Sequence, residues 1–588
     1  MTETAERTPR ARRSAAAPGG RGRADIRPGA GERRLTLAGL LRAVAAAVPE
    51  RTALVGGGRR RTYAELDARA DRLAGHLLAA GTAPGARVAL LSRNRVEWLE
   101  AFFGVLRAGA VPVNLNQRYI RSELEYVLAD SGCAALVAER AHAARLLDEG
   151  GGADLPALGH VVLVDDGTAA AAWETRAAGS APRAADYTAA AAGAGGAAAP
   201  LPASGGEAHY LLYTGGTTGL PKGVVWRQAD LFRAALERRG RGRPRAASPE
   251  EVARRARERR PRRMLVLGPL MHAAGQWNAL SALFAGGTVV LSADREFDAE
   301  RVLALAEAER VHTIQVVGDT MARPLARRLA GTPERCPDLA ALTSGGTPLT
   351  PQVQQMWRNW RPRIAVNDSY GGSETGVCGA ADAPESRAAR FAMGGSVAVL
   401  DEHLRPLPPG SRCIGRIART GRIPLGYHND PELTARTFPV DPDGRRWVLS
   451  GDYGTVAQDG TVTLLGRGSA VVNTGGEKVF AEEVEAVVKS HPGVADAIVV
   501  GAPDEALGRR VAAIVAPAAC GAPGAEELRE YCREHLAGFK IPRALHVVEH
   551  VRRTAVGKQD YRWAAEVVRT PAAPSAEPDG TMRHPPSA

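Results

Sequence analysis

Regular alternation of helical and strand-like segments limits what this chain of 588 residues can fold into. Thr62 and Glu65 form a predicted capping box, and apolar residues then recur at helical spacing as far as Gly81. An apolar strand is predicted over residues 88–91, and the same order repeats to a strand near Leu342. Such alternation is typical of parallel strands joined by crossover helices. The sequence therefore predicts the α/β class, with a large layered N-terminal domain.

The pattern changes in the last third of the chain. Between residues 414 and 465, short Val, Ile, Leu and Thr runs alternate with Gly and Asp, which predicts an appended β-rich part. Beyond Gly466 we expect a small α+β unit of about 100 residues. Its expected elements are helices over 482–489 and 526–536 and strands over 497–500 and 511–515.

Three further segments have low-complexity composition. Residues 180–206, rich in Ala, Gly, Pro and Ser, are predicted to be a linker or surface loop. Residues 1–35 mix Arg with Ala, Gly and Pro and are predicted to be a disordered basic arm. The Pro-rich tail, residues 571–588, is also predicted to be disordered.

The net charge of +12 is concentrated in two segments. Residues 1–35 carry +5 and residues 231–263 carry +9, so the rest of the chain is close to neutral. Neither segment has interleaved aromatic residues, and binding of nucleic acid is therefore not expected. The sequence has no long apolar run, no secretion signal and no CxxC pair. These features predict a cytoplasmic protein without a transmembrane segment, a zinc site or a disulfide framework.

Lysine is rare in this chain: it accounts for five of the 76 basic residues, and arginine accounts for the rest. We expect lysine to persist where a compact ammonium on a flexible stem does something that a planar guanidinium cannot. Lys222 and Lys558 lie in glycine-flanked loops and are the strongest candidates for such a role. Lys489 lies on a predicted helix, where we expect a surface residue.

The segment YTGGTTGLPKG, residues 213–223, directly follows a predicted strand. Its glycines let the backbone approach an anion, its threonines supply hydroxyl donors and its lysine supplies positive charge. Phosphate is the ligand that this composition indicates. Pro221 stands where a Walker A loop needs glycine, so the loop is not that of the common P-loop NTPases. The candidate phosphate-binding residues are Thr214, Gly215, Gly216, Thr217, Thr218 and Lys222.

Four more motifs follow in chain order. They are SGGTPL from Ser344, DSYGGSETG from Asp368, SGD from Ser450 and GR at Gly466. With the phosphate loop, they make the chain resemble the adenylate-forming superfamily of acyl-CoA synthetases, peptide-synthetase adenylation domains and luciferases. The resemblance spans about residues 36–570. It implies an N-terminal adenylation domain over 36–465, a mobile C-terminal domain over 466–570, and ATP bound between them.

The resemblance also implies a role for each motif. The turn at Ser344 would bind adenine, and Asp452 would accept hydrogen bonds from the ribose hydroxyls. Glu374 would hold the Mg²⁺ that bridges the ATP phosphates. Ser373 replaces the threonine usual in the family and keeps its hydroxyl. The remaining nucleotide-binding residues implied are Gly345, Gly346, Asp368, Ser369, Tyr370, Gly371 and Arg467.

Two motifs of the C-terminal domain complete the implied site. Lys558, in RTAVGKQDY, matches the family's catalytic lysine, which stabilises charge as a carboxylate oxygen attacks the α-phosphorus. NTGGEKVFAEEVE, from Asn473, resembles the loop that lines the pantetheine tunnel after the small domain rotates. Ser469 occupies the hinge position, where the family usually has Asp or Lys. The residues implied to bind coenzyme A are Gly475, Gly476 and Lys478.

The segment PLMHAAGQW, from Pro269, bears on the acyl group. The resemblance makes His272 a catalytic-site gate between the acyl and thiol channels, and a core histidine is the alternative interpretation. We expect the acyl pocket near His272, Gly275, Trp277, Gly345 and Gly372. Its glycines predict room for the substrate without identifying it.

Among family members the chain resembles most the actinobacterial fatty-acyl and steroid-side-chain CoA ligases. The predicted function is ATP-dependent activation of a fatty, steroid-side-chain or aryl acid to acyl-AMP, followed by transfer to coenzyme A. One alternative keeps adenylation but changes the acceptor or substrate, as in carrier-protein loading or nitrite-dependent diazotisation of an aryl amine. The other alternative, a basic nucleic-acid-binding protein, has only the net charge in its favour.

The Arg-rich insertion, residues 233–263, has two interpretations. It is either a solvated charged helix or disordered loop, or it is a docking surface for an acidic partner such as an acyl carrier protein or anionic lipid.

Overall fold

The computed structural model describes residues 34–148, 155, 157–175, 182–193, 208–215, 220–237, 244–347, 349–381, 390–474, 477–504, 508–518, 521–554 and 559–569. The expected C-terminal tail lies outside these residues, and so does the basic arm except for its last two residues. Leu35, the last residue assigned to the arm, is fully buried. Leu35 therefore belongs to the packed N-terminal core, and its assignment to a disordered arm was wrong.

The α/β class is confirmed. The larger sheet of the described chain has 13 strands in the order β17-β18-β20-β21-β16-β15-β14-β13-β12-β10-β11-β1-β2. These strands are β1 (Thr52–Gly56), β2 (Arg59–Thr62), β10 (Arg263–Val266), β11 (Thr288–Leu291), β12 (Thr313–Val316), β13 (Ala341–Gly345), β14 (Ala365–Gly372), β15 (Gly376–Ala381), β16 (Arg390–Met393), β17 (Val397–Leu400), β18 (Gly415–Thr420), β20 (Trp447–Val456) and β21 (Val462–Arg467). Neighbours from β1 through β11, β10, β12, β13 and β14 are parallel, whereas the pairs beyond β14 are antiparallel. The predicted β-rich part therefore continues the large sheet.

The second sheet has eight strands in the described residues, in the order β19-β9-β8-β4-β3-β5-β6-β7. They are β3 (Arg87–Leu91), β4 (Val111–Asn114), β5 (Cys133–Glu139), β6 (His160–Val164), β7 (Arg183–Asp186), β8 (His209–Thr214), β9 (Lys222–Arg227) and β19 (Gly426–Tyr427). The strands from β8 to β7 are parallel.

Helices lie between the two sheets and on both outer faces. The helices of this part are α1 (Leu37–Ala47), α2 (Tyr63–Ala79), α3 (Val96–Arg107), α4 (Arg121–Ser131), α5 (Arg140–Leu147), α6 (Tyr187–Ala192), α7 (Gln228–Leu231), α8 (Pro249–Glu258), α9 (Ala273–Phe284), α10 (Ala299–Ala308), α11 (Asp319–Leu329), α12 (Pro351–Trp360) and α13 (Pro431–Thr437). The largest core joins α1, α2, α3 and α9 to strands of both sheets. Helices α10 to α12 cover the other face of the larger sheet, and α4 and α5 cover the other face of the smaller one.

Strand β10 illustrates why this layering follows from the sequence. Successive side chains of a strand point to opposite faces. Met264 and Val266 belong to the central core, and Leu265 belongs to the outer one. An uninterrupted apolar strand is therefore buried on both faces, as expected of a parallel sheet covered by helices.

The smaller C-terminal unit has its own sheet. Its elements are the hairpin β22 (Val471–Thr474) and β23 (Glu477–Phe480), the sheet β24 (Val494–Asp504), β25 (Gly508–Pro517) and β26 (Ala544–Val547), and the helices α14 (Ala481–Ser490), α15 (Ala525–Arg533) and α16 (Tyr561–Val567). The helices and strands predicted here are present. Strand β26 and the hairpin were not predicted. Lys489, which was expected on the surface, is half-buried and forms an ion pair with Asp496 at 3.2 Å.

The loop prediction for residues 180–206 was wrong in its described part. Arg183–Asp186 forms edge strand β7, and helix α6 follows it. Tyr187 is buried, and its hydroxyl donates to Glu100 Oε2 at 2.9 Å. A long-range contact therefore orders a segment whose composition indicates a loop.

The described part of the Arg-rich insertion includes helix α8, which is not a fully solvated helix. Val252, Ala253 and Ala256 are buried, and α8 packs against α1. Arg254 pairs with Glu258 at 2.6 Å, and the buried Arg255 pairs with a glutamate one turn earlier. These guanidinium groups form ion pairs within the insertion. No helix of the described residues is long and apolar enough to cross a membrane.

The predicted capping box at the start of α2 is present. Thr62 Oγ1 accepts from Glu65 N at 3.1 Å, and Glu65 Oε2 accepts from Thr62 N at 2.8 Å. We expect Thr62→Ala to lower the free energy of unfolding by about 1 kcal/mol, because one helical N–H then loses its acceptor. Denaturant midpoints of Thr62→Ala, Glu65→Ala and the double variant measure this. Strictly additive effects would contradict a reciprocal box.

Candidate active site

The candidate phosphate loop connects two strands of the smaller sheet. β8 and β9 pair antiparallel, with Thr214 opposite Lys222. The loop leaves the carboxyl end of β8, which is parallel to β4. Ligands of α/β sheets bind at this edge. Gly215 follows β8 directly, Lys222 is half-buried, and the predicted residues Gly216, Thr217 and Thr218 lie outside the described residues.

Asn114, the last residue of β4, connects this loop to the PLMH segment before α9. Its Nδ2 donates to the carbonyl oxygens of Tyr213 at 2.9 Å and Met271 at 2.5 Å, and its Oδ1 accepts from Tyr213 N at 2.7 Å. Asn114 is buried, so these bonds replace those it would make with water. Sequence reasoning missed this residue. The available signal was a polar side chain at the carboxyl end of an apolar strand.

His272 is the N-cap residue of α9 and is half-buried. In the first turn of the helix, a Cβ added at Gly275 would overlap the carbonyl oxygen of Gly268, so α9 packs directly on the preceding backbone. Trp277 is buried, and its Nε1 donates to Tyr210 Oη at 3.2 Å. Both interpretations of His272 remain compatible with this position.

The SGGTPL turn follows β13, where Ser344 lies opposite Asp368 of β14. Ser344 Oγ accepts from Gly318 N at 3.0 Å, and Asp368 Oδ2 accepts from Leu349 N at 3.3 Å. Asp368 therefore fixes the backbone of the turn, and Ser344 connects the start of the turn to the residue that precedes α11. Gly346 has a φ of +94°, which favours glycine. Burial raises the pKa of Asp368 to about 7.

Three glycines in or beside this turn differ in the space around them. Gly345 lies opposite Ser369 in the paired strands. A Cβ added at Gly371 would overlap a carbonyl oxygen of β15, so packing requires glycine there. At Gly345 and Gly372 an added Cβ would meet its nearest neighbours at 3.6 and 3.7 Å. A side chain could therefore fit at these two positions, so packing does not require glycine there, and its absence leaves space.

Tyr370, Asp452 and Arg467 form a hydrogen-bonded cluster across three strands. Tyr370 Oη donates to Asp452 Oδ2 at 2.5 Å, and Arg467 Nε donates to Asp452 Oδ1 at 3.2 Å. Asp452 is buried. Burial and the Asp452 charge raise the pKa of Tyr370 well above its ordinary value, so its hydroxyl stays protonated as a donor. The structure thus brings together three residues predicted for the nucleotide site.

Glu374 lies in the turn between β14 and β15. Tyr427 Oη donates to Glu374 Oε1 at 3.1 Å, and Trp226 Nε1 donates to Ser373 O at 2.8 Å. The buried Arg419 donates to the carbonyl oxygen of the residue after Glu374 at 2.5 Å. Tyr427, Trp226 and Arg419 were missed by sequence reasoning, because they come from separate parts of the chain.

The C-terminal candidates lie partly outside the described residues. Asn473 pairs with Lys478 in the β22–β23 hairpin, a stretch that was expected to be a loop. Gly475, Gly476 and Lys558 lie outside the described residues. Arg467, the last residue of β21, lies close enough to Asp452, Glu374 and Glu482 for their charges to act on it. The nucleotide-site candidates and the start of α14 therefore approach each other at this strand end.

The structure therefore brings several candidate nucleotide-site residues together at the strand ends of a two-sheet α/β domain that is followed by a small α+β unit. Residues 41–425 match the model of the AMP-binding enzyme family, and residues 483–558 match that of the AMP-binding enzyme C-terminal domain. The chain therefore belongs to the AMP-binding enzyme family.

Its similarity to individual proteins extends over most of the chain. It is 38% identical over 538 residues to a medium/long-chain-fatty-acid–CoA/3-oxocholest-4-en-26-oate–CoA ligase of Mycobacterium tuberculosis, covering 90% of this chain and 96% of the relative. It is 37% identical over 554 residues to a 3-oxocholest-4-en-26-oate–CoA ligase of Rhodococcus rhodochrous, with coverage of 90% and 96%. Among solved structures, ATP-bound MatB from Rhodopseudomonas palustris aligns with a TM-score of 0.73 and 26% identity, covering 90% of this chain and 99% of MatB.

Proposed function

We propose that this protein is an AMP-forming acyl-CoA ligase. In the first half-reaction, a carboxylate oxygen attacks the α-phosphorus of ATP, giving acyl-AMP and releasing pyrophosphate. In the second, the coenzyme A thiol attacks the acyl carbonyl carbon, giving the thioester and releasing AMP and a proton. The cluster of Tyr370, Asp452 and Arg467 beside Glu374 carries the proposal. Near-full-length similarity to ligases of this type supports it.

Different residues of the chain bind the adenine, the ribose and the phosphates of ATP. The SGGTPL turn, held by Asp368, offers backbone groups to adenine. Asp452 accepts hydrogen bonds from the ribose hydroxyls, and Arg467 and Tyr370 keep its carboxylate oriented. The loop from Thr214 to Lys222 holds the phosphates through backbone N–H groups, hydroxyls and the lysine charge.

Glu374 fits the requirements of a magnesium ligand. Mg²⁺ usually binds through one or two carboxylates together with substrate phosphates and water. Within the described residues, no group of three or more His, Cys, Asp or Glu side chains could hold a metal by itself. Glu374 and its Tyr427 partner supply a single oriented carboxylate near the other nucleotide residues. When bound there, Mg²⁺ would neutralise charge on the ATP phosphates.

Lys558 supplies the charge that stabilises the transition state of adenylation, and Gly475, Gly476 and Lys478 line the path of the pantetheine arm. His272 lies between the acyl and thiol sides of the site. For the acyl group we propose a fatty or steroid-side-chain acid. The space at Gly345 and Gly372 and the names of the relatives support this class.

Coenzyme A is the proposed acceptor, in preference to a carrier protein. Arg254 and Arg255 of the insertion pair with glutamates of their own helix, so the described part of the insertion gives no support for acidic-partner docking. The intact GGEK sequence of the β22–β23 hairpin supports a thiol acceptor.

The deciding test is pyrophosphate release with ATP and a panel of fatty, steroid and aryl acids and nitrite, each with and without coenzyme A. We expect release that depends on a fatty or steroid acid, together with its coenzyme A thioester. In single turnover, coenzyme A should speed the consumption of acyl-AMP. Release that requires nitrite and an aryl amine, or acyl-AMP that coenzyme A does not consume, would contradict the proposal.

A further inference from the structure

Glu482, in the first turn of α14, contacts the end of β21. Its Oε2 accepts a hydrogen bond from Arg467 N at 2.9 Å. Gly466 makes this contact possible, because a Cβ at that position would overlap the Glu482 carboxylate. Gly466 also has a φ of +129°, which other residues rarely adopt. Backbone conformation and the missing side chain together admit this carboxylate to the segment that joins the two parts of the chain.

Arg467 is therefore bonded on two sides. Its backbone N–H binds Glu482 of the C-terminal unit, and its side chain binds Asp452 of the proposed ribose site. Movement of α14 away from β21 would break the first bond without requiring the second to break. The Glu482 contact is therefore specific to one orientation of the C-terminal unit relative to the nucleotide site, and it stabilises that orientation.

Glu485, one turn further along α14, holds the chain beside the proposed catalytic lysine. It is buried and accepts from Gln559 Nε2 at 2.6 Å, Tyr561 Oη at 3.2 Å and Val499 N at 2.9 Å. Gln559 directly follows Lys558 in the sequence. Helix α14 therefore carries one acid that binds the joining segment and another that anchors the neighbour of Lys558.

The Glu482 contact has an electrostatic cost. Burial and the nearby Glu485 charge raise the pKa of Glu482 to about 7. A surface carboxylate would avoid that penalty by turning into water. The contact persists because Arg467 N–H offers a hydrogen bond in a position that leaves the carboxylate half-buried.

We propose that Glu482 is a positioning residue that holds the C-terminal unit in the orientation used for adenylation. This inference rests on the proposed two-step function. Through α14, the contact keeps the anchor of the Lys558 segment beside the end of β21, where Asp452 and Glu374 are close. The second half-reaction, which uses the rotated unit, does not need it.

The test compares Glu482→Ala with Glu482→Gln in separated half-reactions. We expect Glu482→Ala to slow single-turnover acyl-AMP formation about 10-fold, the scale of one hydrogen bond to a charged group. Thioester formation from supplied acyl-AMP and coenzyme A should stay within about twofold of the parent protein. Glu482→Gln should recover most of the adenylation rate, because its amide oxygen accepts the same N–H bond.

Glu483→Ala is the matched control. Glu483 lies on the same helical turn but pairs with Lys540 at 2.7 Å inside the C-terminal unit. It should not slow adenylation selectively. Equal slowing of both half-reactions by Glu482→Ala, or failure of Glu482→Gln to recover adenylation, would overturn the positioning role.

A measurement without substrate separates this inference from the proposed function. Trypsin cleaves after arginine, so fragments ending at Arg467 report access to the joining segment. We expect these fragments to form several-fold faster in Glu482→Ala than in the parent protein or Glu482→Gln. Unchanged cleavage would count against the contact even in an active enzyme. Lack of acyl-AMP with every acid, together with faster cleavage, would instead reject only the proposed function.

Discussion

The Lys558→Ala variant should fold like the parent protein yet form acyl-AMP at least about 10²-fold more slowly, the scale on which one charge-stabilising donor contributes to catalysis. Negative charge develops around the α-phosphorus as the carboxylate attacks, and the lysine ammonium would balance it. Gln559, the next residue, keeps its anchor on Glu485 in this variant, so the C-terminal unit retains its packing.

Arg533→Ala is the matched control for this variant. Arg533 lies in the same unit, is exposed, and pairs with Glu526 and Glu530 on the surface of α15. Its removal should leave single-turnover adenylation within about twofold, because surface ion pairs contribute about 1 kcal/mol or less to stability. Adenylation by Lys558→Ala at the parent rate would show that the charge comes from another residue.

Lys558→Arg adds a sharper comparison. The chain uses arginine for all but five of its 76 basic residues, and we expect lysine to persist where a guanidinium is unsuitable. The arginine variant keeps the charge but presents a larger planar group. We expect it to recover less than about a tenth of the parent rate.

The Glu374→Gln variant should lose about 10²-fold in adenylation, because a carboxylate that orients Mg²⁺ contributes several kcal/mol to the charge balance of phosphoryl chemistry. The glutamine still accepts from Tyr427, which separates loss of metal binding from loss of local structure. The measurement is the rate of acyl-AMP formation as a function of Mg²⁺ concentration.

The expected signature is a higher Mg²⁺ requirement. Part of the lost rate should return at high Mg²⁺, and chelation of the metal should abolish activity in both proteins. Glu432→Gln is the matched control, since Glu432 is an exposed glutamate that pairs with Arg436 on α13. An identical Mg²⁺ dependence for Glu374→Gln and the parent protein would exclude Glu374 as the metal ligand.

Local patterns were sufficient to predict the α/β order and the start of α2. The capping box of Thr62 and Glu65 involves residues three apart, and helical spacing identifies the buried face of α2. Local patterns were not sufficient for the segment after residue 180. Tyr187 is ordered by Glu100, 87 residues away, and no local pattern contains that contact. Composition alone therefore indicated a loop where β7 and α6 form.

The residues of the candidate site also differ in whether the local sequence could reveal them. Tyr370 and Asp452 were found because each lies in a motif that resembles the family, although they are 82 residues apart. Tyr427 and Asn114 lie in no such motif, and only the fold brings them to Glu374 and Tyr213. The residues proposed to bind the nucleotide therefore lie in local motifs, whereas Tyr427 and Asn114, which orient other groups, do not.

The double attachment of Asn114 has a consequence for changing substrate preference. Its amide bonds both to the strand before the phosphate loop and to the segment before α9. Remodelling α9 to admit a different acid would disturb Met271 and, through Asn114, Tyr213. Engineered acid selectivity would then carry a penalty in ATP affinity. Libraries that vary α9 should also vary Asn114 and its two hydrogen-bonding partners, Tyr213 and Met271, in the same round.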